Sequence, residues 1–188
     1  MDYTGDAGWN PTEEVTPIDG VSQTPLTFEF TYSLPKTFSS YTRGGVLFSN
    51  YTNGTENQVS IEIYTNGQAR FWYKRNGSNF SALFAADVRS DEPAHLAFTV
   101  DGKSISLYVN GEFSETIAMT AAVPTNCTNF CIGGDYRSQN AQYFKGTLFG
   151  IHVFDHVRTA EQIAEDAMMV TDDTAGLVFS RYFSNTAE

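Results

Sequence analysis

The chain has 188 residues, a formal net charge of −11 and an aromatic content of 14%. This length suits a single β-sandwich with a real hydrophobic core, and the aromatic content argues against disorder. An acidic surface repels nucleic-acid phosphates and anionic membranes, so we exclude both as partners. No apolar run approaches the ~20 residues of a membrane span, and Met1 is not followed by the pattern of a signal peptide. We therefore expect a domain of a longer protein.

The N-terminal part divides into a polar segment and a first clear strand. Residues 1–20 contain two prolines and are expected to form a loose lead-in or an edge strand. Residues 21–188 are expected to form one domain. Leu26 to Tyr32 alternates apolar and polar side chains, which gives a strand one apolar face.

The segment from Val59 to Lys74 is predicted to be a β-hairpin that turns at Asn66-Gly67. Its return strand has an apolar face and a face with two basic residues. The basic residues indicate that the second face meets water, which places Trp72 on an outer surface. A register slip by one residue, or a loop over this face, would instead make Trp72 ordinary packing. The apolar face of the return strand consists of Ala69, Phe71 and Tyr73, and the basic face consists of Arg70, Trp72 and Lys74.

A second hairpin is predicted between Ala94 and Gly111. Its strands alternate like the first, and Asp101-Gly102 and Asn110-Gly111 tolerate the positive φ that tight turns of types I′ and II′ demand. A hairpin with one apolar face needs another sheet to cover it. The sequence therefore predicts a β-sandwich.

One helix is predicted, beginning at Thr159. Thr159 and Gln162 have the spacing of a capping box, and an apolar stripe follows at helical spacing. Leu177 to Phe183 is predicted to be a closing strand.

Two segments carry a family resemblance. The Ala94–Gly111 hairpin has His95 near its start, a D-G turn and a strand that ends Y-V-N-G. Residues 132–163 contain I-G-G, a polar loop, F-x-G, an apolar strand and the T-A-E-Q-I helix. This order resembles laminin-G-like and pentraxin-like domains of the concanavalin A-like lectin/glucanase superfamily, although Ala94 stands where a Trp usually precedes the His. The resemblance implies an all-β, two-sheet antiparallel jelly-roll β-sandwich with one short helix near the C-terminus.

The pentraxin side of this resemblance implies bound calcium. Glu56-Asn57 precedes a strand, while Asp135 opens a later loop and Gln142 closes it. Calcium prefers such carboxylate and amide oxygens. The alternative is that these four are ordinary polar loop residues, because the acidic cluster of pentraxins is reduced here to Gly133-Gly134-Asp135.

The two cysteines, Cys127 and Cys131, lie four positions apart. A tight loop could allow a disulfide bond between them, and two free buried thiols are the alternative.

Catalysis is not expected. The fold group includes glycoside hydrolases and polysaccharide lyases, which set paired carboxylates on one face of a cleft. Here Glu29 and Glu62 each stand alone in the middle of a strand, and we expect both to be solvated on outer faces.

The resemblance implies a non-catalytic binding module of a secreted or cell-surface protein, with carbohydrate as its ligand. Aromatic rings stack on sugar C–H faces, while polar groups bond the hydroxyls. The alternative is a protein-adhesion or spacer domain without a small ligand. The candidate ligand-binding residues are Trp72, Arg70, Tyr64 and Tyr136.

Overall fold

The computed structural model describes residues 26–37, 45–49, 58–120, 130–134, 143–168 and 175–183. These residues form eleven strands and one helix. The elements are β1 (Leu26–Leu34), β2 (Val46–Ser49), β3 (Gln58–Ile63), β4 (Gln68–Arg75), β5 (Ser78–Asp87), β6 (Ser90–Val100), β7 (Ser104–Val109), β8 (Glu112–Ala118), β9 (Cys131–Ile132), β10 (Thr147–Phe154), α1 (Ala160–Met168) and β11 (Leu177–Tyr182).

The strands make two antiparallel sheets. One has six strands in the order β11-β10-β1-β6-β7-β8, and the other has five in the order β5-β4-β3-β2-β9. Strand β1 pairs with β6 on one side and with β10 on the other. The strands β2 to β5, which lie between β1 and β6 in sequence, belong to the other sheet, so the chain crosses between the two sheets as in a jelly roll. The predicted all-β sandwich with a short helix near the C-terminus is confirmed.

The core lies between the two sheets and is rich in aromatic rings. Phe28 of β1 contacts Phe71 of β4 with centroids 5.8 Å apart, and Phe71 contacts Phe98 of β6 at 5.9 Å. All three side chains are buried. The apolar faces predicted from alternation are therefore the faces that meet, because burying them removes apolar surface from water.

The two turns of the β6–β8 segment differ from each other. Asn110 and Gly111 both have positive φ, 51° and 82°, as a type I′ turn requires. The Asp101-Gly102 connection is longer than predicted, because it spans three residues between β6 and β7. Asp101 Oδ1 accepts the backbone N–H groups of Lys103 and Ser104, at 2.7 and 2.6 Å. A side-chain carboxylate thus holds this loop.

Helix α1 has the predicted capping box. Thr159 N–H donates to Gln162 Oε1 at 2.9 Å, and Gln162 N–H donates to Thr159 Oγ1 at 3.3 Å. The helix packs closely on the β7–β8 turn, where a Cβ on Gly111 would lie 2.9 Å from the Ala164 Cα.

Several sequence predictions fall outside the described residues, including the lead-in of residues 1–20. The boundary at residue 21 stays a prediction. In the part of the chain that the structure describes, no helix is long and apolar enough to cross a bilayer.

Candidate functional site

The outward side chains of β4 form the centre of the candidate site. Burial alternates along β4 as predicted, with Phe71 buried and Trp72 half-buried. Trp72 pairs with Ser60 of β3 on one side and with Ser81 of β5 on the other. The register slip that would have turned Trp72 inward is therefore excluded.

Arg70 holds two aromatic rings together on this face. Its guanidinium carbon lies 5.7 Å from the centroid of the Tyr64 ring and 5.9 Å from that of Trp72. These distances are within the range of cation–π attraction. Arg70 Nε also donates to Ser81 Oγ at 2.9 Å. The structure thus brings together Tyr64, Arg70 and Trp72, which we call the Arg70 cluster, whereas Tyr136 lies outside the described residues.

Glu62 lies on β3, directly opposite Arg70 of β4. Its Oε1 is 3.4 Å from Arg70 Nη1 and accepts the hydroxyl of Ser60 at 3.2 Å. Only 3% of Glu62 is exposed, so the expectation of a solvated carboxylate was wrong. Burial is tolerated because Arg70 supplies an opposite charge. The second oxygen, Oε2, is buried, and the described residues provide no hydrogen-bond partner for it.

The outer face of this sheet is closed over β3 and open over β5. The outward residues of β3 (Gln58, Ser60 and Glu62) are at most 3% exposed. On β5, by contrast, Leu83 is 40% exposed, and Ser81 is exposed as well. A ligand would therefore approach the Arg70 cluster from the β5 side.

A further ion pair anchors the turn that carries Tyr64. Arg89 donates to both carboxylate oxygens of Asp87, at 2.9 and 2.7 Å, and to the carbonyl oxygen of Thr65 at 2.9 Å. The bond from Arg89 lowers the pKa of the Asp87 carboxyl. Sequence reasoning missed this anchor, since an Asp and an Arg two positions apart carry no signal of a distant loop contact.

The outer face of the six-stranded sheet holds a second charged network. Arg158 Nε lies 3.1 Å from Glu29 Oε1, Arg158 Nη2 lies 2.6 Å from Asp166 Oδ2, and His95 Nε2 lies 3.1 Å from Glu29 Oε2. Glu29 is 2% exposed, so the expectation of a solvated side chain was wrong here too. Burial raises the pKa of the Glu29 carboxyl, and the bond to His95 opposes that rise. His95 thus makes a buried hydrogen bond with Glu29 that links β6 to β1.

The predicted calcium ligands lie outside the described residues: Glu56, Asn57, Asp135 and Gln142. Within the described part of the chain, no group of three or more His, Cys, Asp or Glu residues is placed to hold a metal ion. Calcium binding therefore stays a prediction. Cys131 is buried in β9, and Cys127 is outside the described residues, so their pairing also stays open.

The sequence matches a family model over residues 16–164, which is most of the chain. The chain therefore belongs to the Concanavalin A-like lectin/glucanases superfamily. This confirms the resemblance drawn from the Ala94–Gly111 hairpin and the I-G-G segment. No curated protein sequence matches the chain.

Solved structures share the fold at low sequence identity. A Bacteroides ovatus protein proposed to bind carbohydrate is 19% identical with a TM-score of 0.67, over 89% of this chain and 48% of that one. The CBM40 of the Ruminococcus gnavus IT-sialidase, bound to α2,3-sialyllactose, is 18% identical with a TM-score of 0.61, over 81% and 92%. A heptameric SAP-like pentraxin from Limulus polyphemus is 18% identical with a TM-score of 0.54, over 76% and 69%. The chain thus spans about half the length of the Bacteroides ovatus protein.

Proposed function

We propose that the chain is a non-catalytic module that binds a glycan on the outer face of β4 and β5. The observation that carries this proposal is the Arg70 cluster, in which a guanidinium fixes two aromatic rings beside an open strand. The rings offer apolar surface to the C–H face of a sugar, and Arg70 offers N–H donors to its hydroxyls. Because Glu62 and Ser81 already orient Arg70, a ligand meets a largely fixed surface.

Two structural relatives support the choice of a glycan. The Bacteroides ovatus protein is proposed to bind carbohydrate, and the CBM40 is bound to a sialyllactose. Their low identity with this chain shows a shared fold, so the ligand class is carried over as part of the proposal. The CBM40 belongs to a sialidase, and we propose that this chain likewise accompanies other domains of a secreted or cell-surface protein.

The positions of the acidic residues favour binding over hydrolysis. A glycosidase needs two carboxylates about 5–9.5 Å apart that face one sugar. Glu29 lies on the outer face of the six-stranded sheet and Glu62 on that of the five-stranded sheet, so they cannot face one substrate. Each is also buried against an arginine.

The test is a glycan array, followed by calorimetric titration of the best glycan into the wild type and two variants. Trp72→Ala is expected to lower the affinity at least ~10-fold, a loss of about 1.4 kcal/mol, because it removes the larger stacking ring. Tyr182→Ala is the matched control, since Tyr182 is an aromatic residue with 54% exposure on the other sheet. The control is expected to keep wild-type affinity. An array without any bound glycan would instead favour the protein-adhesion or spacer role, and unchanged affinity in Trp72→Ala would refute this site.

Repeating the titration in EDTA and in millimolar calcium tests the proposed metal. We propose that Glu56, Asn57, Asp135 and Gln142 supply oxygen ligands to calcium, a proposal that the family resemblance supports. Calorimetry with calcium alone is expected to show binding that Asp135→Asn weakens. If calcium produces no heat and EDTA leaves glycan affinity unchanged, the calcium proposal fails while the Arg70 cluster still stands.

A further inference from the structure

An open cleft lies at the side of the sandwich, where the β7–β8 turn approaches strand β5. Its volume is about 450 Å³, within the range typical of small-molecule sites. The described lining residues are Ala86, Val109, Asn110, Glu112, Phe113 and Ser114. Apart from Ala86, all belong to the six-stranded sheet or its β7–β8 turn, whereas the Arg70 cluster lies on the five-stranded sheet.

Phe113 supplies an exposed aromatic surface in this cleft. The side chain is 59% exposed, so its ring offers apolar surface to solvent. The neighbouring Tyr108 contacts it edge to face, with centroids 5.7 Å apart and an interplanar angle of 74°. Tyr108 therefore helps to orient the ring and leaves much of it open to a ligand.

Asn110 supplies oriented polar groups to the lining of the same cleft. Its Oδ1 accepts the backbone N–H of His95 at 2.9 Å, and its backbone N–H donates to the His95 carbonyl at 2.8 Å. With Oδ1 engaged as an acceptor, the donor capacity of the Asn110 side chain lies in the two hydrogens of the Nδ2 amide group. The type I′ turn and the close packing of Gly111 on Ala164 fix the position of Asn110.

The charge of the lining restricts the ligand. Glu112 contributes a carboxylate, Ser114 contributes a hydroxyl, and none of the described lining residues is basic. The neighbouring Glu115 adds a second acid and accepts the Ala85 N–H at 2.9 Å. Such a surface repels carboxylated or sulfated sugars, whereas an uncharged sugar matches it with hydroxyl donors for Glu112 and a C–H face for Phe113.

We propose that this cleft is a second carbohydrate subsite, selective for an uncharged pyranose ring, and that it acts independently of the Arg70 cluster. The sugar stacks on Phe113, accepts hydrogen bonds from Asn110 Nδ2 and donates a hydroxyl to Glu112. The subsite gives the module two separate sugar contacts, one beside a cation and one beside an acid.

The test is a ¹H–¹⁵N NMR titration of the whole chain with the methyl β-pyranosides of glucose, galactose, mannose and xylose. At least one is expected to shift the Gly111 backbone signal and the Asn110 side-chain amide. Phe113→Ala is expected to weaken this binding at least ~10-fold, whereas Phe113→Tyr retains it because a ring remains. Trp72→Ala is expected to leave it unchanged, which separates this subsite from the Arg70 cluster.

Two further variants test the polar contacts. Asn110→Gly keeps a residue that tolerates positive φ but removes the amide donors, and it is expected to weaken binding. The methyl β-glucuronide is expected to bind more weakly than the methyl β-glucoside, and Glu112→Gln is expected to narrow that difference. The proposal is overturned if none of the four uncharged glycosides shifts these signals, or if the shifts persist unchanged in a folded Phe113→Ala protein.

Discussion

The outer faces of the two sheets each hold an arginine–glutamate pair, but in opposite surroundings. Arg158 and Glu29 lie 3.1 Å apart with side-chain exposures of 1% and 2%. Arg70 and Glu62 lie 3.4 Å apart with exposures of 12% and 4%. The first pair is almost fully enclosed, and the second retains a partly exposed cation.

The partners of the two arginines explain their different roles. Arg158 contacts Asp166 of α1 and the ring of Phe154 at 4.1 Å, so it links the helix to the sheet. Arg70 contacts Tyr64 and Trp72 beside an open strand. An arginine–glutamate pair can therefore link two elements of the fold, as Arg158 does, or orient aromatic side chains beside an open strand, as Arg70 does.

The largest effect is expected from Arg158→Ala. This change leaves the buried carboxylates of Glu29 and Asp166 without their cation, and the free energy of unfolding is expected to fall by about 3–5 kcal/mol. Arg70→Ala is expected to cost only about 1–2 kcal/mol, because Ser60 still donates to Glu62. Urea denaturation measures both values.

A double variant serves as the control for that comparison. Glu29→Gln with Arg158→Met leaves Asp166 as the one carboxylate that loses Arg158, so it is expected to cost less than Arg158→Ala alone, which takes the cation from both Glu29 and Asp166. Equal losses for Arg158→Ala and Arg70→Ala would end the distinction between an enclosed structural pair and a surface pair.

An intermediate effect, on glycan affinity, is expected from Arg89→Ala. This change removes the contact between Arg89 and the turn that follows Tyr64. Without Arg89, the Thr65 carbonyl oxygen loses a donor, and Tyr64 loses its anchor beside Arg70. Affinity for the array-selected glycan is expected to fall about 3-fold to 10-fold, or 0.7–1.4 kcal/mol, by calorimetric titration. Arg89→Lys should recover little, since a lysine cannot bridge Asp87 and Thr65 with a planar fork. Wild-type affinity in Arg89→Ala would show that the turn needs no such anchor.

The smallest effect on stability is expected from lowering the pH, which acts through His152 on β10 of the six-stranded sheet. Burial lowers the pKa of the His152 imidazole below its usual 6.5. The folded protein therefore binds this proton less readily than the unfolded chain, and stability falls as the pH drops below about 6.5. Glu29 of β1 is paired with His152 across the sheet. The pKa of His152 is also influenced by the charges of Asp166, His95 and Arg158.

His152→Gln isolates this contribution, because Glu29 and the other charged groups stay in place. The melting temperatures of wild type and variant are measured between pH 7.5 and 5. Relative to the variant, the wild type is expected to lose a few degrees as the pH falls. Parallel curves for the two proteins would mean that His152 does not titrate differently on folding.

Local sequence features accounted for much of the fold and for part of the site. Alternation placed Phe71 inward and Trp72 outward, and the capping box placed the start of α1. Alternation also predicted that Arg70 and Trp72 share a face, since residues two apart in a strand must do so. It did not predict that Glu29 and Glu62 are buried, because polar strand residues look alike whether water or another segment lies over them.

The period-two faces, the Asn-Gly turn at residues 110–111 and the two-layer class could be predicted from the sequence, because each depends on residues close together in the chain. The pairing of each arginine with its carboxylate could be seen only in the folded chain. Arg158 reaches Glu29 across 129 positions, and Thr65 reaches Arg89 across 24. Such contacts depend on how the sheets and the helix are arranged in space. That arrangement encloses the charges on one outer face, and on the other it leaves β5 open beside the partly exposed Arg70 cluster.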